Sequence, residues 1–256
     1  MDELRLLINR AADKYRASCV YYMFTNTPFL DLAQQSALDA WIKREKIARA
    51  FFFGGYEDAE RRVLCFYPGY IEDPLEYFSQ NPSESPVAAI RATVRSDDRL
   101  THRDYLGALM GLGMRRESFG DILVNEGYAD IVLLRDSLPL VLRDFSKAGR
   151  APLECKEIAL SELCPPPQAM REIRDTVASP RLDAIVGAAF SLPRGKAAEA
   201  VERGLVFINN RLCEKPDAPV AEGDRITLRG MGRALIKELG GASRSGRMFV
   251  TILRWL

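Results

Sequence analysis

The stretch RLDAIVGAAFSLPRGKAAEAVERGLVFINN, residues 181–210, decides the fold of the C-terminal part of the chain. Apolar side chains recur in it at the i, i+3, i+4, i+7 and i+8 spacing of one helix face. They are Leu182, Ile185, Val186, Ala189 and Phe190. Pro193 occupies a favourable first-turn position for a second helix, which should end at Gly204. The pattern therefore predicts two short helices, the first of which starts at Arg181.

A small sheet is predicted to follow these helices. Residues 205–208 and 211–213 are predicted as strands around Asn209-Asn210, because asparagine tolerates the positive φ of a tight hairpin turn. A Gly-Asp turn then leads into a strand at residues 225–228. Two helices and a small sheet make an α+β module.

Basic side chains are concentrated in this module. From Arg181 onward the chain has 13 Lys and Arg against 8 Asp and Glu, whereas the preceding residues have 23 against 27. A basic module on a slightly acidic body is expected where one end of a protein meets phosphate. From charge alone, the simpler alternative is a solvated surface.

We predict RNA contacts at the helix starts, the hairpin and the last turn of the module. Helix N-termini present N–H donors and partial positive charge, and long cationic side chains gain free energy by displacing counterions from phosphate. The predicted contacts are Arg181, Arg194, Lys196, Arg203, Asn209, Arg211, Arg229 and Arg233. Residues 229–233 contain a Gly-x-Gly without a third glycine, so we interpret them as a turn flanked by RNA-facing arginines rather than a cofactor loop.

The middle of the chain alternates between strands and helices. In order, the predicted elements are a strand at 87–94, a helix capped by Thr101 with Asp104, strands at 119–124 and 129–134, a helix at 138–145 and a strand at 152–160. This order is that of a ferredoxin-like (RRM-like) domain, a layout that many unrelated functions share.

The middle domain is predicted to meet RNA, if at all, through basic side chains, because its strands at 87–94 and 129–134 lack stacking aromatics. The candidates for this secondary contact are His102, Arg103, Arg115 and Arg116. The alternative is structural, since Thr101 and Asp104 make a helix cap that any protein can use and the arginines would then be solvated. The capping interpretation of residues 101–104 is the simpler one.

The N-terminal region is predicted to be helical and to end in a hairpin. Strands at residues 50–53 and 62–66 flank Gly54-Gly55. This glycine pair lacks the Lys and Ser/Thr of a phosphate loop, so we interpret it as a tight turn.

Three domains follow from these patterns, at residues 1–80, 81–178 and 179–256, the last with a C-terminal extension. A stiff linker at Cys164-Pro165-Pro166-Pro167 and a strand at 170–177 precede the final boundary.

The residue types argue against metal and disulfide chemistry. The five cysteines are widely spaced and odd in number, and the chain has one histidine. We therefore predict no metal, no cofactor and no catalytic residue. No apolar run approaches the ~18 residues that span a bilayer, and the signal-peptide pattern is missing, so we expect a cytoplasmic protein without a membrane partner or small-molecule substrate.

Several short motifs of the C-terminal module resemble the S-four-type (alpha-L motif) RNA-binding domain. They are Arg181-Leu182-Asp183, Leu192-Pro193-Arg194-Gly195-Lys196-Ala197, Gly204-Leu205-Val206-Phe207-Ile208-Asn209, Glu222-Gly223-Asp224 and Arg229-Gly230. One departure is Pro193, where that family usually has serine, so a capping hydroxyl is lost. The resemblance implies an RNA-binding module.

The resemblance extends upstream to the bacterial YlmH family and its cyanobacterial and plastid relatives. The motifs that carry it are Phe53-Gly54-Gly55-Tyr56-Glu57-Asp58-Ala59-Glu60-Arg61, the segment 100–109 and Gly120-Asp121-Ile122-Leu123-Val124. It implies an RNA-binding protein that contacts rRNA or tRNA on the large ribosomal subunit during rescue or quality control of stalled translation.

Two alternatives stay open at the level of sequence. The first is an RNA-modifying enzyme with an S-four-like targeting domain, although we find neither the catalytic aspartate signature of a pseudouridine synthase nor the glycine-rich loop of a methyltransferase. The second is a protein-interaction adaptor linked to cell division, which would bind through the acidic N-terminal part. RNA binding should weaken steeply with salt, whereas an adaptor should keep its partner.

Overall fold

The chain divides into two compact units, Met1–Pro166 and Pro167–Leu256. The structure is a computed structural model that describes residues 3–95, 98–167, 169–242 and 246–255. Helices and antiparallel sheets occur in both units, in line with the predicted α+β class. Within the described residues, no helix is both long and apolar enough to cross a membrane.

The first unit contains the N-terminal and middle parts of the chain. Its helices are α1 (Glu3–Tyr21), α2 (Leu32–Glu45), α3 (Pro74–Gln80), α4 (His102–Gly111) and α5 (Leu138–Asp144). Its strands are β1 (Thr25–Asn26), β2 (Ala50–Phe53), β3 (Val63–Phe66), β4 (Val87–Val94), β5 (Phe119–Asn125), β6 (Tyr128–Leu134), β7 (Lys147–Ala148) and β8 (Ala151–Ile158).

These strands form two antiparallel sheets, ordered β1-β3-β2 and β5-β6-β4-β8-β7. Strand β4 has the predicted bounds, and α4 begins directly after Thr101, as predicted. The Asp104 carboxylate accepts hydrogen bonds from the backbone N–H and the hydroxyl of Thr101, both at 2.7 Å. The helix cap predicted at Thr101 and Asp104 is therefore present.

The predicted hairpin is present, but its connection is longer than a tight turn. Strands β2 and β3 pair from Ala50 with Phe66 to Phe53 with Val63, and residues 54–62 form the loop between them. At Gly54 a Cβ atom would lie 2.3 Å from the Cβ of Ala59. The loop thus folds back onto its own first residue, which is why glycine is required there.

The two sheets of the first unit share a layer of apolar side chains. The face of the five-stranded sheet that carries Val87 and Val132 packs against Phe29, Val63 and Cys65 of the N-terminal region. The opposite face supports α4 and α5 through a larger cluster that includes Ile90, Tyr105, Leu109, Phe119 and Ile131. The N-terminal and middle parts are therefore packed together as one unit.

A buried ion pair fixes the last segment of the first unit to its sheet. The Asp130 side chain is 0% exposed and accepts from Nε and Nη2 of Arg91 at 2.7 and 2.8 Å. The backbone N–H of Cys164 donates to the same carboxylate at 3.0 Å, and Arg91 also donates to the carbonyl of Glu162. Removing one partner of such a pair leaves a buried charge without compensation.

The described residues of the second unit form one sheet and two helices. Its helices are α6 (Leu182–Phe190) and α7 (Arg194–Glu202). Its strands are β9 (Met170–Val177), β10 (Val206–Ile208), β11 (Arg211–Leu212), β12 (Arg225–Leu228), β13 (Gly232–Ala242) and β14 (Met248–Trp255). The sheet order is β11-β10-β12-β13-β14-β9, and every neighbouring pair is antiparallel.

The helix face and the hairpin turn predicted for this unit are confirmed, whereas two predicted helix starts are corrected: Arg181 precedes α6 as its N-cap residue, and Pro193 is the N-cap residue of α7 rather than part of its first turn. The five side chains of the predicted helix face, from Leu182 to Phe190, are all buried and pack on the sheet together with Ala197 and Val201 of α7. Asn209 and Asn210 have φ values of 51° and 65°, as a tight primed turn requires.

Two of the three longest strands of the sheet, β13 and β14, were not predicted. Strands β13 and β14 lie in the segment that was predicted only as a C-terminal extension. Strand β14 pairs with β9 from Met248 with Val177 to Trp255 with Met170. The strand at 170–177 is thus an integral edge of the second unit's sheet, and it begins ahead of the predicted boundary at residue 179.

We predict that Arg91→Leu lowers the free energy of unfolding by ~3–5 kcal/mol, because Asp130 would stay buried without its cation. Urea unfolding of the full chain measures this change. Arg95→Leu is the matched control: its partner Glu154 is solvent-exposed, so we expect a loss below ~1 kcal/mol. Equal urea midpoints for the two variants would contradict the assigned role of the buried pair.

We also predict that Phe190→Ala lowers the free energy of unfolding by ~3–5 kcal/mol, because the ring is 2% exposed in the helix–sheet core. Phe249→Ala on β14 is the control, since that ring is 50% exposed and its loss should change stability by ~0.5 kcal/mol or less. Thermal or urea unfolding compares the two, and an unchanged midpoint for Phe190→Ala would show that the core register is wrong.

Candidate nucleic-acid interface

Two arginines of the second unit converge on one buried carboxylate. Arg181 is the residue before α6 and Arg194 is the first residue of α7. The Asp183 side chain, 5% exposed, accepts from Nε and Nη2 of Arg181, each at 3.1 Å, and from Nε of Arg194 at 3.4 Å. The backbone N–H of Ala184 donates to it at 2.8 Å. The starts of both helices are thereby tied together.

Arg181, Asp183 and Arg194 together carry a net positive charge at the surface. Burial alone would raise the pKa of Asp183, but the hydrogen bonds from Arg181 and Ala184 and the charges of Arg181 and Arg194 together hold that pKa below its usual range. The carboxyl group is therefore ionised at neutral pH and compensates one of two guanidinium groups. The Arg194 side chain is 67% exposed, so its outer edge faces solvent.

The N-terminal N–H groups of the two helices differ in their surroundings. In α6 the backbone N–H groups of Leu182 and Asp183 donate to the carbonyls of Ala218 and Pro216, both at 2.9 Å. In α7 the N-cap position is Pro193, which makes no side-chain capping bond. Proline has no side-chain hydroxyl, so the side chain at this position does not cap the first N–H groups of α7.

Further along α7, the basic side chains make weak surface pairs. Lys196 and Arg203 both approach Glu199, at 3.1 and 3.6 Å, and all three side chains are exposed. The hydrogen bond from Lys196 is the main cause that lowers the pKa of Glu199. Exposed pairs of this kind stabilise by ~0–1 kcal/mol, so a phosphate group can compete for the same cations.

The hairpin residues have unequal roles. The Asn209 side-chain amide donates to Asp224 at 2.8 Å, and its side-chain oxygen accepts from the backbone N–H of Arg225 at 2.9 Å. Asn209 therefore holds the turn against β12, which limits what it can offer to RNA. Arg211 on β11 is exposed.

The last two predicted contacts lie on β13 and in the turn before it. Arg229 is exposed in the turn between β12 and β13. Arg233 alternates along β13 with the core residues Ala234 and Ile236, so it lies on the opposite sheet face from α6 and α7. The structure thus brings Arg181 and Arg194 together on Asp183 and Lys196 and Arg203 together on Glu199. Arg233 lies on the other face of the sheet.

The candidates in the first unit also divide into two kinds. His102, Arg103 and Arg115 are exposed at the start of α4 and in the segment that follows it. Arg116 instead donates to the carbonyls of Phe119 and Gly120 at 2.8 and 3.1 Å and lies 4.7 Å above the Phe119 ring. Burial, followed by the charge of Arg61, lowers the pKa of Arg116 to about 10. Arg116 is a structural residue in this arrangement.

The sequence did not predict that two of the upstream motifs contact each other through the side chain of Asp121. The Asp121 carboxylate accepts from the Tyr56 hydroxyl at 2.7 Å and from the backbone N–H groups of Glu60 and Arg61 at 2.7 and 3.1 Å. One carboxylate thus joins the loop 54–62 to β5. The two motifs are far apart in sequence, and no local pattern links them.

Comparison with known proteins bears on both units. Residues 95–162 match the model of the "Putative RNA-binding domain in YlmH", and residues 180–226 match that of the "S4 domain". Ribosome-associated protein quality control protein P2 of Bacillus subtilis is 33% identical over 253 residues, which cover 98% of this chain and 95% of that protein.

A solved structure supports the fold. Cell division protein ylmH from Streptococcus pneumoniae matches 64% of this chain and 96% of its own, with a TM-score of 0.52 and 22% identity. This likeness shows a shared fold over the matched part. Because the Bacillus subtilis relative is similar over nearly its whole length, the chain belongs to the YlmH family and carries the S4 domain that its C-terminal motifs predicted.

Proposed function

We propose that this chain binds rRNA or tRNA on the large ribosomal subunit, in the rescue or quality control of stalled translation, and that it does so without catalysis. The observation that carries the proposal is the pair of arginines, Arg181 and Arg194, held on the buried carboxylate of Asp183. The ribosome-associated quality-control name of the Bacillus subtilis relative supports the setting. A ribosomal partner would place the protein in the cytoplasm.

The arrangement suits the RNA backbone. Guanidinium groups donate two parallel hydrogen bonds to phosphate oxygens, and cations that neutralise phosphates release counterions. Asp183 orients both arginines before RNA arrives, so less side-chain entropy is lost on binding. Lys196 and Arg203 extend the same positive surface along α7. Such contacts favour RNA shape over sequence, because backbone contacts carry no base information.

The middle domain is proposed to be a ferredoxin-like unit that supplies a second RNA contact. Strands β4 and β5 are joined through α4, and β6 lies between them in the sheet, which is the arrangement of a split β-α-β unit. Its exposed basic residues His102, Arg103 and Arg115 are the proposed contacts. The family match to a putative RNA-binding domain over residues 95–162 supports this assignment.

We predict that the double variant Arg194→Ala/Lys196→Ala binds large ribosomal subunits more weakly. It should also lower the slope of log affinity against log salt concentration by about 2, one for each lost phosphate contact. Co-sedimentation with purified large and small subunits over a salt series measures both quantities. Arg181 would still pair with Asp183 in this variant, so the fold should persist.

The matched control removes two exposed arginines from the first unit, Arg16→Ala/Arg44→Ala, with the same change in net charge. We expect this control to bind as the unmodified chain does. Equal affinities and salt slopes for the two double variants would overturn the assignment of α7. A chain that sediments with neither subunit would overturn the ribosomal setting.

We further predict a pH-dependent stability difference for Asp183→Asn. The pKa of Asp183 is lower in the folded chain than the ordinary ~3.9 of an unfolded chain, so ionisation stabilises the fold above that pH. The advantage of the unmodified chain over Asp183→Asn should be complete at pH 7 and disappear as the pH falls through the lower, folded pKa. Urea unfolding of both chains between pH 7 and pH 2 tests this, and a constant difference would contradict it.

A further inference from the structure

The end of helix α1 and the residues after it expose large apolar side chains. Four consecutive residues have exposed fractions from 51% to 71%: Val20, Tyr21, Tyr22 and Met23. Tyr70, which is 64% exposed, lies beside them, because its hydroxyl donates to the Tyr22 carbonyl at 3.1 Å. We call these five residues the tyrosine patch. Apolar side chains exposed together in this way are typical of an interaction site, whereas single exposed ones are not.

The backbone at Tyr22 would suit a different residue. Tyr22 follows the last residue of α1 and has a φ of 53°, in the left-handed region. Helices commonly end in this conformation, but glycine or asparagine usually takes it, because a Cβ atom makes it costly. The Tyr22 side chain is 68% exposed, so packing within the fold does not account for a tyrosine here. Such strained positions cluster at binding sites.

The surroundings of the tyrosine patch are negatively charged. Helix α1 has no basic residue in its last turn, so no cation there offsets the partial negative charge of its carbonyl end. Helix α3 is adjacent, since the rings of Phe24 and Phe78 lie 4.8 Å apart. From residue 63 to residue 90 the chain has four carboxylates and no lysine or arginine. Three of these carboxylates lie in or just before the first turn of α3: Glu72, Asp73 and Glu76.

Two arginines near the patch do not reverse this charge. The guanidinium group of Arg49 lies against Gly69, the residue before Tyr70. Arg16, one helical turn before Val20, is paired with Asp13 at 3.1 Å. With Asp13 included, four carboxylates stand against two guanidinium groups, so the net charge around the patch is negative.

We propose that the tyrosine patch binds a segment of a partner protein that carries both apolar and basic side chains. Tyrosine rings supply a large contact area at a low cost in side-chain entropy, and they are enriched at protein interfaces. Basic side chains complement the carboxylates and the carbonyl end of α1.

Other occupants fit the charge of the patch less well. An RNA strand or an anionic membrane surface would bring negative charge to a negative surface. A second copy of the chain in a two-fold dimer would present the same patch to itself, so the carboxylates of both copies would repel each other. A basic protein segment is the occupant whose charge is opposite to that of the patch.

This interaction is additional to the proposed RNA binding. The tyrosine patch belongs to the first unit, whereas Arg181 and Arg194 belong to the second unit. The secondary RNA contacts proposed for the middle domain lie on α4 and after it. The inference therefore does not rest on the proposed function.

Two synthetic peptides of leucine and lysine provide the probe. In one peptide the leucines follow the i, i+3, i+4, i+7 spacing of a helix face, and in the other leucine and lysine alternate as in a strand. Fluorescence polarisation of the labelled peptides measures their binding to the full chain. We expect at least one of them to bind. The same peptide with glutamate in place of lysine should bind roughly 10-fold more weakly or less, because like charges then meet.

Tyr22→Gly separates binding from folding. Glycine adopts a φ of 53° without strain, so the midpoint of thermal unfolding should stay the same or rise. Affinity for the lysine peptide should nevertheless fall by roughly 10-fold or more, as for truncation of one interface hot spot. Met110→Ala is the control, since it truncates another exposed apolar side chain, on α4, and should bind the peptide as the unmodified chain does. If Tyr22→Gly does not fold, Tyr21→Ala replaces it.

The carboxylates are tested by Glu72→Gln/Glu76→Gln. This double variant should bind the lysine peptide roughly 2- to 30-fold more weakly, the loss expected for two exposed ion pairs. The matched control is Glu57→Gln/Glu126→Gln, which removes two exposed carboxylates elsewhere in the first unit with the same change in net charge. We expect the control to keep the affinity of the unmodified chain.

Failure of both lysine peptides to bind would overturn the inference, and so would binding that Tyr22→Gly leaves unchanged. It would also be overturned if Tyr22→Gly weakened binding of a short unstructured RNA or dispersed a dimer detected by sedimentation velocity, because the patch would then serve another occupant. None of these results changes the expected loss of ribosome binding in Arg194→Ala/Lys196→Ala, so the proposed function is judged separately.

Discussion

The C-terminal unit depends on one constraint: the carboxylate of Asp183 is buried and must be compensated. Arg181 and Arg194 supply that compensation from the starts of two different helices, which fixes α6 and α7 against each other. The same contact holds both guanidinium groups at the surface. Their two positive charges exceed the single negative charge of the Asp183 carboxylate. Folding and the proposed recognition of phosphate are consequently linked through a single side chain.

In the first unit, too, single carboxylates connect segments that are far apart in sequence. Asp121 binds the loop 54–62 through the Tyr56 hydroxyl and two backbone N–H groups, and Asp130 binds the segment that ends at Cys164. In both cases a strand residue holds a segment that lies outside the named strands of the sheet. Arg116, a predicted RNA contact, likewise donates to two backbone carbonyls of its own segment.

The sequence predicted features that are set by neighbouring residues. The cap of Thr101 with Asp104, the helix face from Leu182 to Phe190 and the turn at Asn209-Asn210 all depend on local spacing and backbone preference. Strands β13 and β14 escaped prediction because β13 is interrupted by register shifts after Ile236 and after Gly240, which disturb its alternation. Which face of the sheet carries Arg233 depends on how β13 pairs with its neighbours, and local sequence patterns do not give that pairing. They therefore did not predict that Arg233 lies on the opposite face from α6 and α7.

The pairing of β9 with β14 bears on how the chain is made. Ribosomes synthesise β9 well before its partner, since the two helices and four other strands lie between them in sequence. During that interval β9 is an unsatisfied edge, and its exposed residues Arg171, Glu172, Arg174 and Asp175 alternate in charge. Charged side chains discourage pairing with other nascent chains. The sheet is thus completed only when β14 has been synthesised and pairs with β9.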